Sequence, residues 1–570
     1  MREQVLNQKV LKNATSIGVA TLISRILGLV REQVFAYLFG AGNFTDAFNV
    51  AFRIPNLLRN LFAEGAMSAA LIPTFTRVRI EEGDERAWQV AGRVFRVLFL
   101  IVSVLTLIGI VFAPAFVSLY ASAFKHIPGK FEMTVRMTRI MFPYFPMVVL
   151  AAAFMGILNA CGIFFLPALA SALFNLATIV FGVFFAVFVF QNHPQLGFFP
   201  VEGMAIGVVL GGIVQAFCQF PKLRSVGFRW RAPKVPLTGA SVFGDVRGGV
   251  WHQDPALKKM LLLIAPGIVG LAATQVSILI NTILATTQGP GAVSWLSYAF
   301  RLMQFPIGLF GASFATATLP GVAQAWANRD FTEVRDTLVG ALRHVFAINL
   351  PASAGLAFLG APIIALIFQY GHFSPEDTRA TAMALAMYAI GLTSYSAVKV
   401  LVPACYAMGN SRLPVVTSIL SIALALVLNL ILIGPLGFWG LALGTSVGAV
   451  LNMILLIYGI RKLLFSQGVQ VSLRSIIQPF FTQLTIALCM GGACWMTYRG
   501  LDTLLPESDW VLDYGRKGLF LLRGLKVFLL MGEGMVIVVC LARAFKVTDT
   551  TEAFDFFMKK LKNKLSPRKT

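Results

Sequence analysis

Charge is what this chain has least of. Asp, Glu, Lys and Arg make up only 13% of its 570 residues, against 57% hydrophobic ones, and the mean hydropathy is +0.77. No water-soluble chain of this length hides so much apolar surface, so a polytopic membrane protein is expected. Acid is scarcer than base, and between Lys259 and Arg329 there is no Asp or Glu at all. The resulting net charge of +22 sits mainly in short loops and at the two ends. That pattern anchors a membrane protein on the cytoplasmic side and argues against a nucleic acid partner. No G-x-x-x-x-G-K-[ST] loop is present, which excludes ATP hydrolysis by this chain. The five histidines are scattered. The six cysteines (Cys161, Cys218, Cys405, Cys489, Cys494 and Cys540) lie in or beside apolar runs without ligand spacing, so neither a metal, a cofactor nor a disulfide framework is expected. Paired carboxylates for acid–base chemistry are missing from the apolar segments, so the reading is a transporter and not an enzyme.

Present instead are fourteen apolar runs, beginning near residues 14, 45, 93, 136, 166, 203, 259, 292, 338, 380, 413, 438, 475 and 519. Each is long enough to cross a bilayer with some tilt. All are expected to be helices, because the ten-residue alternation of a membrane barrel is absent. The run from Thr15 is too long and too interrupted for a cleaved signal and reads as an uncleaved first span. Lys and Arg concentrate in the even-numbered connections, above all over Lys222–Lys259, whereas Gln191–Pro200 and Gln288–Gly291 hold none. Both termini are therefore placed in the cytoplasm.

The two halves repeat. Ala51-Phe52-Arg53-Ile54 leads through Leu61-Phe62 to Leu71-Ile72-Pro73, as Ala299-Phe300-Arg301-Leu302 leads through Leu309-Phe310 to Leu319-Pro320. Later, Gly203-Met204-Ala205-Ile206-Gly207 matches Gly440-Leu441-Ala442-Leu443-Gly444. Six spans per copy give both copies the same orientation, the parallel repeat that transporters build around a central site. The last two spans have no counterpart. Four segments follow: an N-terminal lobe over 1–221, a basic cytoplasmic linker over 222–258, a C-terminal lobe over 259–465, and two added helices with a basic tail over 466–570.

Charges nonetheless enter the spans, and a charge in hydrocarbon faces an interior, a water-filled cavity or a partner. On span two, Asn49, Arg53, Asn56, Asn60 and Glu64 follow at helical spacing and form one polar stripe, with Arg59 beside it. Span one carries Arg25, Arg31 and Glu32, span two begins with Asp46, and span eight carries Arg301. Helix-end ion pairs or snorkelling are the competing reading for residues such as Glu64 and Arg77. Arginine suits phosphate because its planar fork donates two parallel hydrogen bonds and stays charged. The expected ligand is therefore phosphorylated or otherwise anionic.

Ser24-Arg25-Ile26-Leu27-Gly28-Leu29-Val30-Arg31-Glu32, then Thr45-Asp46-Ala47-Phe48, Pro55-Asn56-Leu57-Leu58-Arg59 and Phe62-Ala63-Glu64-Gly65-Ala66, resemble the MurJ (MviN) lipid II flippases of bacteria. These belong to the multidrug/oligosaccharidyl-lipid/polysaccharide exporter superfamily, and the similarity runs from about residue 10 to 465. The resemblance implies an all-α fold of fourteen transmembrane helices, two six-helix lobes in a V shape plus two C-terminal helices whose groove holds a lipid tail. It implies movement of lipid II (undecaprenyl-pyrophosphate disaccharide-pentapeptide) to the outer leaflet of the cytoplasmic membrane by alternating access. The partners are then lipid II and membrane lipids, and the state a monomer. The family's cavity arginines correspond to Arg25, Arg31, Arg59 and Arg301, and Asp46 and Glu64 match further family positions. With Asn56 and Arg53 from the polar stripe, these are the candidate substrate-binding residues. The sequence departs from some members at Phe300 and Gln304, where they carry acids, and has no acid in spans seven and eleven, which argues against a sodium site there. The alternative reading is an exporter of another polyprenyl-linked oligosaccharide or of a drug.

Overall fold

The computed structural model describes residues 2–62, 72–228, 275–547 and 551, and all regular structure among them is helical. The chain forms two compact units, Met1–Pro290 and Gly291–Thr570. The first contains α1 (Arg2–Phe39), α2 (Asn43–Arg59), α3 (Ile72–Glu81), α4 (Asp84–Val111), α5 (Ala113–Tyr120), α6 (Lys130–Met141), α7 (Tyr144–Ala160), α8 (Phe165–Val183), α9 (Pro200–Phe217) and α10 (Phe220–Ser225), then α11 (Gln275–Thr286). The second contains α12 (Ala292–Pro306), α13 (Ala312–Ala327), α14 (Phe331–Phe358), α15 (Gly360–Phe368), α16 (Pro375–Ala407), α17 (Arg412–Leu436), α18 (Phe438–Ser466), α19 (Arg474–Leu504) and α20 (Glu507–Ala544).

Ten helices among the described residues are long and apolar enough to cross a membrane, and eleven if α14 and α15, bent by 73° at Leu359, are one span. These eleven fall on expected spans three to six and eight to fourteen. Spans one and two are helical as α1 and α2, but their embedded charges lower their hydropathy. Span seven begins outside the described residues, and only its later part is seen, as α11. From the sequence alone the second lobe opens with span seven, yet α11 groups with the first unit, where Thr282 accepts a hydrogen bond from Arg53 of α2. Most of the basic linker also lies outside the described residues.

The sequence repeat has a packing counterpart within each unit. In the first, α2 packs on α6, α7 on α9 and α8 on α9; in the second, α12 packs on α16, α16 on α18 and α17 on α18. Small residues make the closest approaches. A Cβ on Gly203, Gly207 or Gly211 of α9 would lie 2.4–2.7 Å from Ala186, Gly182 or Thr178, and one on Gly440, Gly444 or Gly448 of α18 would lie 2.1–2.7 Å from Leu432, Asn429 or Ala425. These six glycines form one stripe of three per repeat at four-residue spacing, the arrangement by which membrane helices bring their backbones together. A second shared feature is a π-helical turn at Asn60–Phe62 and at Ile307–Gly311. It covers the matched pairs Leu61-Phe62 and Leu309-Phe310 and lies downstream of a helix proline in both copies, Pro55 and Pro306.

Two ion pairs, each between a buried base and a more exposed acid, fix the added C-terminal helices. Arg523 of α20, 4% exposed, pairs with Glu507 at 2.6 Å and donates to the carbonyls of Ala365 and Gln369 at 3.1 Å each, at the open end of α15. Lys526 pairs with Asp502 at 3.0 Å.

Candidate functional site

The arginine-bearing helices α1 and α2 are held by α7 and α8. On α1, Ser24, Gly28, Arg31 and Phe35 share one face by helical spacing, and this face meets α8. The Arg31 guanidinium lies 5.9 Å from the centre of the Phe174 ring and pairs with Glu32 at 2.7 Å, the two side chains being 14% and 15% exposed. Arg59 ends α2 and grips the next residue, donating to Asn60 Oδ1 through Nη2 at 2.7 Å and Nε at 3.2 Å. The two arginines converge on Tyr144, the first residue of α7. Its hydroxyl lies within electrostatic reach of both Arg59 and Arg31, and the side chain is 1% exposed. Phe52 and Phe174 flank its ring, with centroids at 5.8 and 5.5 Å. The result is a half-buried pair of guanidinium forks on an aromatic shelf, able to receive an anion with more than one oxygen.

The other candidates named from the sequence scatter around this pair. Arg25 is half-buried on α1, off the face that α8 covers. Arg53 lies six residues before Arg59, about 9 Å along the helix axis, and bonds Thr282. Asn56 is half-buried between them. The polar stripe continues as a regular helix only to Arg59, because Asn60 opens the π-helical turn; Glu64 lies outside the described residues. Arg301 is exposed on α12 of the second unit. Asp46 stands apart. It is 0% exposed, and its carboxylate is committed to Lys130 at 3.0 Å, itself 1% exposed on its side chain, beneath the Phe124 ring at 4.1 Å. Next to it, the Thr45 hydroxyl donates to the Gly40 carbonyl at 2.8 Å. A charge sealed in this way serves the fold by holding the α1–α2 elbow to the start of α6.

Tyr144, Phe174, Asn175 and Lys130 are not singled out by the sequence. The first three look like ordinary span residues, and only helix adjacency gives them a role. Lys130 carries a signal, as a lone lysine at the mouth of an apolar run, but its acid lies 84 residues away.

With this geometry in place, comparison with known proteins is informative. Residues 35–504 match the family model described as Lipid II flippase MurJ. A lipid II flippase MurJ from Burkholderia cenocepacia is 36% identical over 479 residues, covering 83% of this chain and 87% of that one. A probable lipid II flippase MurJ from Vibrio cholerae is 32% identical over 547 residues, covering 93% and 98%. A solved structure of a lipid II flippase MurJ in an inward closed conformation shares the fold with a TM-score of 0.70 at 22% identity, covering 93% of this chain and 99% of that chain. A multidrug resistance MATE transporter in an inward-facing conformation does so at 0.62 and 18%, covering 80% and 99%. The family match spans most of the chain and both relatives cover more than two thirds of it. The chain therefore belongs to the MurJ lipid II flippase family.

Proposed function

We propose that this protein moves lipid II from the inner to the outer leaflet of a bacterial cytoplasmic membrane by alternating access. The observation that carries the reading is that Arg31 and Arg59, on different helices, both lie within electrostatic reach of the one hydroxyl of Tyr144, which supplies two cationic forks to the region where a pyrophosphate would dock. Arg25 adds charge along α1. Asn56 and Arg53 extend the polar face, and Arg301, at the register of Arg53 in the second repeat, is the corresponding candidate in the second unit. Asp46 belongs to this reading as support for the elbow, and Glu64 as a candidate on sequence alone. In full, the reading has fourteen transmembrane helices, cytoplasmic termini, a monomeric chain, and a lipid tail carried along α19 and α20. Family membership, the repeat and the embedded arginines all support it.

Expression of the chain in bacteria depleted of their own flippase tests the reading. Growth should be restored, and Ala at Arg25, Arg31, Arg59 or Arg301 should abolish the rescue with the protein still in the membrane. Lys should restore it only in part, because it keeps the charge but loses the two-pronged fork. Growth with all four alanine variants would sink the role given to the arginines. Failure of the parent chain to prevent precursor build-up and lysis would move the reading to another polyprenyl-linked cargo.

A further inference from the structure

The Ser24–Arg31 segment carries two arginines, and Asn175 of α8 holds its backbone and faces its Gly. Asn175 is 9% exposed, and its amide nitrogen donates to the Ser24 carbonyl at 3.2 Å and to the Ser171 carbonyl of its own helix at 3.2 Å. A Cβ on Gly28 would sit 3.5 Å from that same nitrogen, so a longer side chain there would press on the amide. One residue before Asn175, Phe174 supplies the ring beneath Arg31. Two adjacent residues of α8 thus grip one face of α1 at three successive turns: the Ser24 carbonyl, the Gly28 gap and the Arg31 guanidinium. A helix held along one face has its rotation about its own axis fixed. Arg25 and Glu32, about 100° round from Ser24 and Arg31, then lie on the flank of α1 beside the face that meets α8. A polar bond of this kind between membrane helices is directional, whereas apolar packing of α1 on α8 would tolerate rotation.

We propose that Asn175 is a positioning residue for anion recognition: through the Ser24 carbonyl it sets the rotation of α1, and with it the directions in which Arg25 and Arg31 present their guanidinium groups. The proposal rests on the reading of these arginines as the phosphate-binding groups. Asn175 itself does not touch the ligand, and the Phe174 ring acts with it by fixing the plane of the Arg31 fork.

The test is lipid II binding to the purified full-length protein in lipid nanodiscs, measured for the parent, Asn175→Leu, Arg31→Ala and the double variant. Leu has a similar branched shape with somewhat greater volume, and it removes the amide donor together with the amide acceptor. Asn175→Leu should weaken binding about tenfold, the scale of one misdirected charge-assisted hydrogen bond, with the thermal midpoint close to that of the parent. The double variant should lose less than the product of the two single losses, because part of the Asn175 effect runs through Arg31 and only the rest through Arg25; losses that multiply would mean a merely structural contribution and overturn the proposal. Parental binding by Asn175→Leu, with Arg31→Ala impaired, would overturn it too and leave the arginine reading intact. Parental binding by Arg31→Ala would bring down both. Should Asn175→Leu fail to fold, Phe174→Leu supplies the same comparison, with a several-fold loss expected and parental binding again fatal to the proposal.

Discussion

A single residue can be essential for two opposite reasons, and Asp46 and Arg31 separate them. Both are charges in an apolar setting, and from the sequence they look equivalent. In the fold, Arg31 keeps a half-open fork beside a carboxylate neighbour, whereas Asp46 is sealed against Lys130. Removing one partner of a buried pair leaves the other charged and alone, at a cost of about 3–5 kcal/mol, while replacing both with apolar residues of similar size is often neutral or stabilising. Asp46→Ala should therefore lower the amount of folded protein and its thermal midpoint, and Asp46→Leu combined with Lys130→Met should recover both, along with rescue of flippase-depleted cells. A double variant that is stable and abundant yet inactive would show that Asp46 acts on the cargo directly. Arg31→Ala should give the mirror image, a normal midpoint with no rescue.

At the scale of helices, glycine spacing decides which pairs meet closely, and the two repeats use it alike. Replacing Gly207 or Gly444 with Val puts methyl groups where Gly182 or Asn429 already stands, at 2.7 and 2.1 Å from the would-be Cβ. Overpacking of this kind costs about 1–3 kcal/mol, so both variants should melt earlier in detergent. Gly340→Ala is the control. Nothing lies within 4 Å of its missing Cβ, and Ala in a helix interior is worth about 0.5–1 kcal/mol over Gly, so its midpoint should hold or rise. An unchanged midpoint for Gly207→Val and Gly444→Val would mean that the α8–α9 and α17–α18 contacts yield readily to added bulk. Much of this level is legible in the sequence. Eleven spans announce themselves as apolar runs, and the repeat is visible in the matched glycines. The charged α1 and α2 give weaker signals for a physical reason, since Arg25, Arg31, Glu32, Asp46, Arg53 and Arg59 dilute their hydropathy. The site is legible only as a set of arginines. That Arg31 and Arg59 share Tyr144, that Asn175 reaches Ser24, and that Lys130 closes on Asp46 depends on which helices become neighbours across tens of residues, and local periodicity carries no such information.

For the whole molecule the open matters are topology and energy. If the even-numbered connections are cytoplasmic, cysteines introduced at Gln195 and Thr238 of a cysteine-free version should differ. An impermeant thiol reagent added outside should label the first and spare the second, and labelling of the Thr238→Cys variant would sink the fourteen-span reading. Energy is the harder matter. The chain has no G-x-x-x-x-G-K-[ST] loop, and the sources to be tested are an ion gradient, the membrane potential and consumption of the cargo on the far side. The embedded carboxylates of the described helices are already engaged: Glu32 with Arg31 at 2.7 Å, Asp46 with Lys130 at 3.0 Å, Glu202 with Arg136 at 2.9 Å, Asp377 with the Trp295 indole N–H at 2.8 Å, and Glu533 with the Thr497 hydroxyl at 2.8 Å. Acid is also missing from the whole stretch between Lys259 and Arg329, which leaves a bound cation few anionic ligands there. Arginines embedded in moving helices need no bound ion to feel the field, because each elementary charge carried through it is worth about 2.3 kcal/mol per 100 mV. Flipping should accordingly follow the membrane potential and ignore sodium. Replacing external sodium by potassium while the potential is clamped should leave lipid II translocation in cells nearly unchanged, and collapsing the potential should stop it. Loss of translocation on sodium removal alone would refute this and point to a cation site built from neutral ligands such as Asn429 and Thr445.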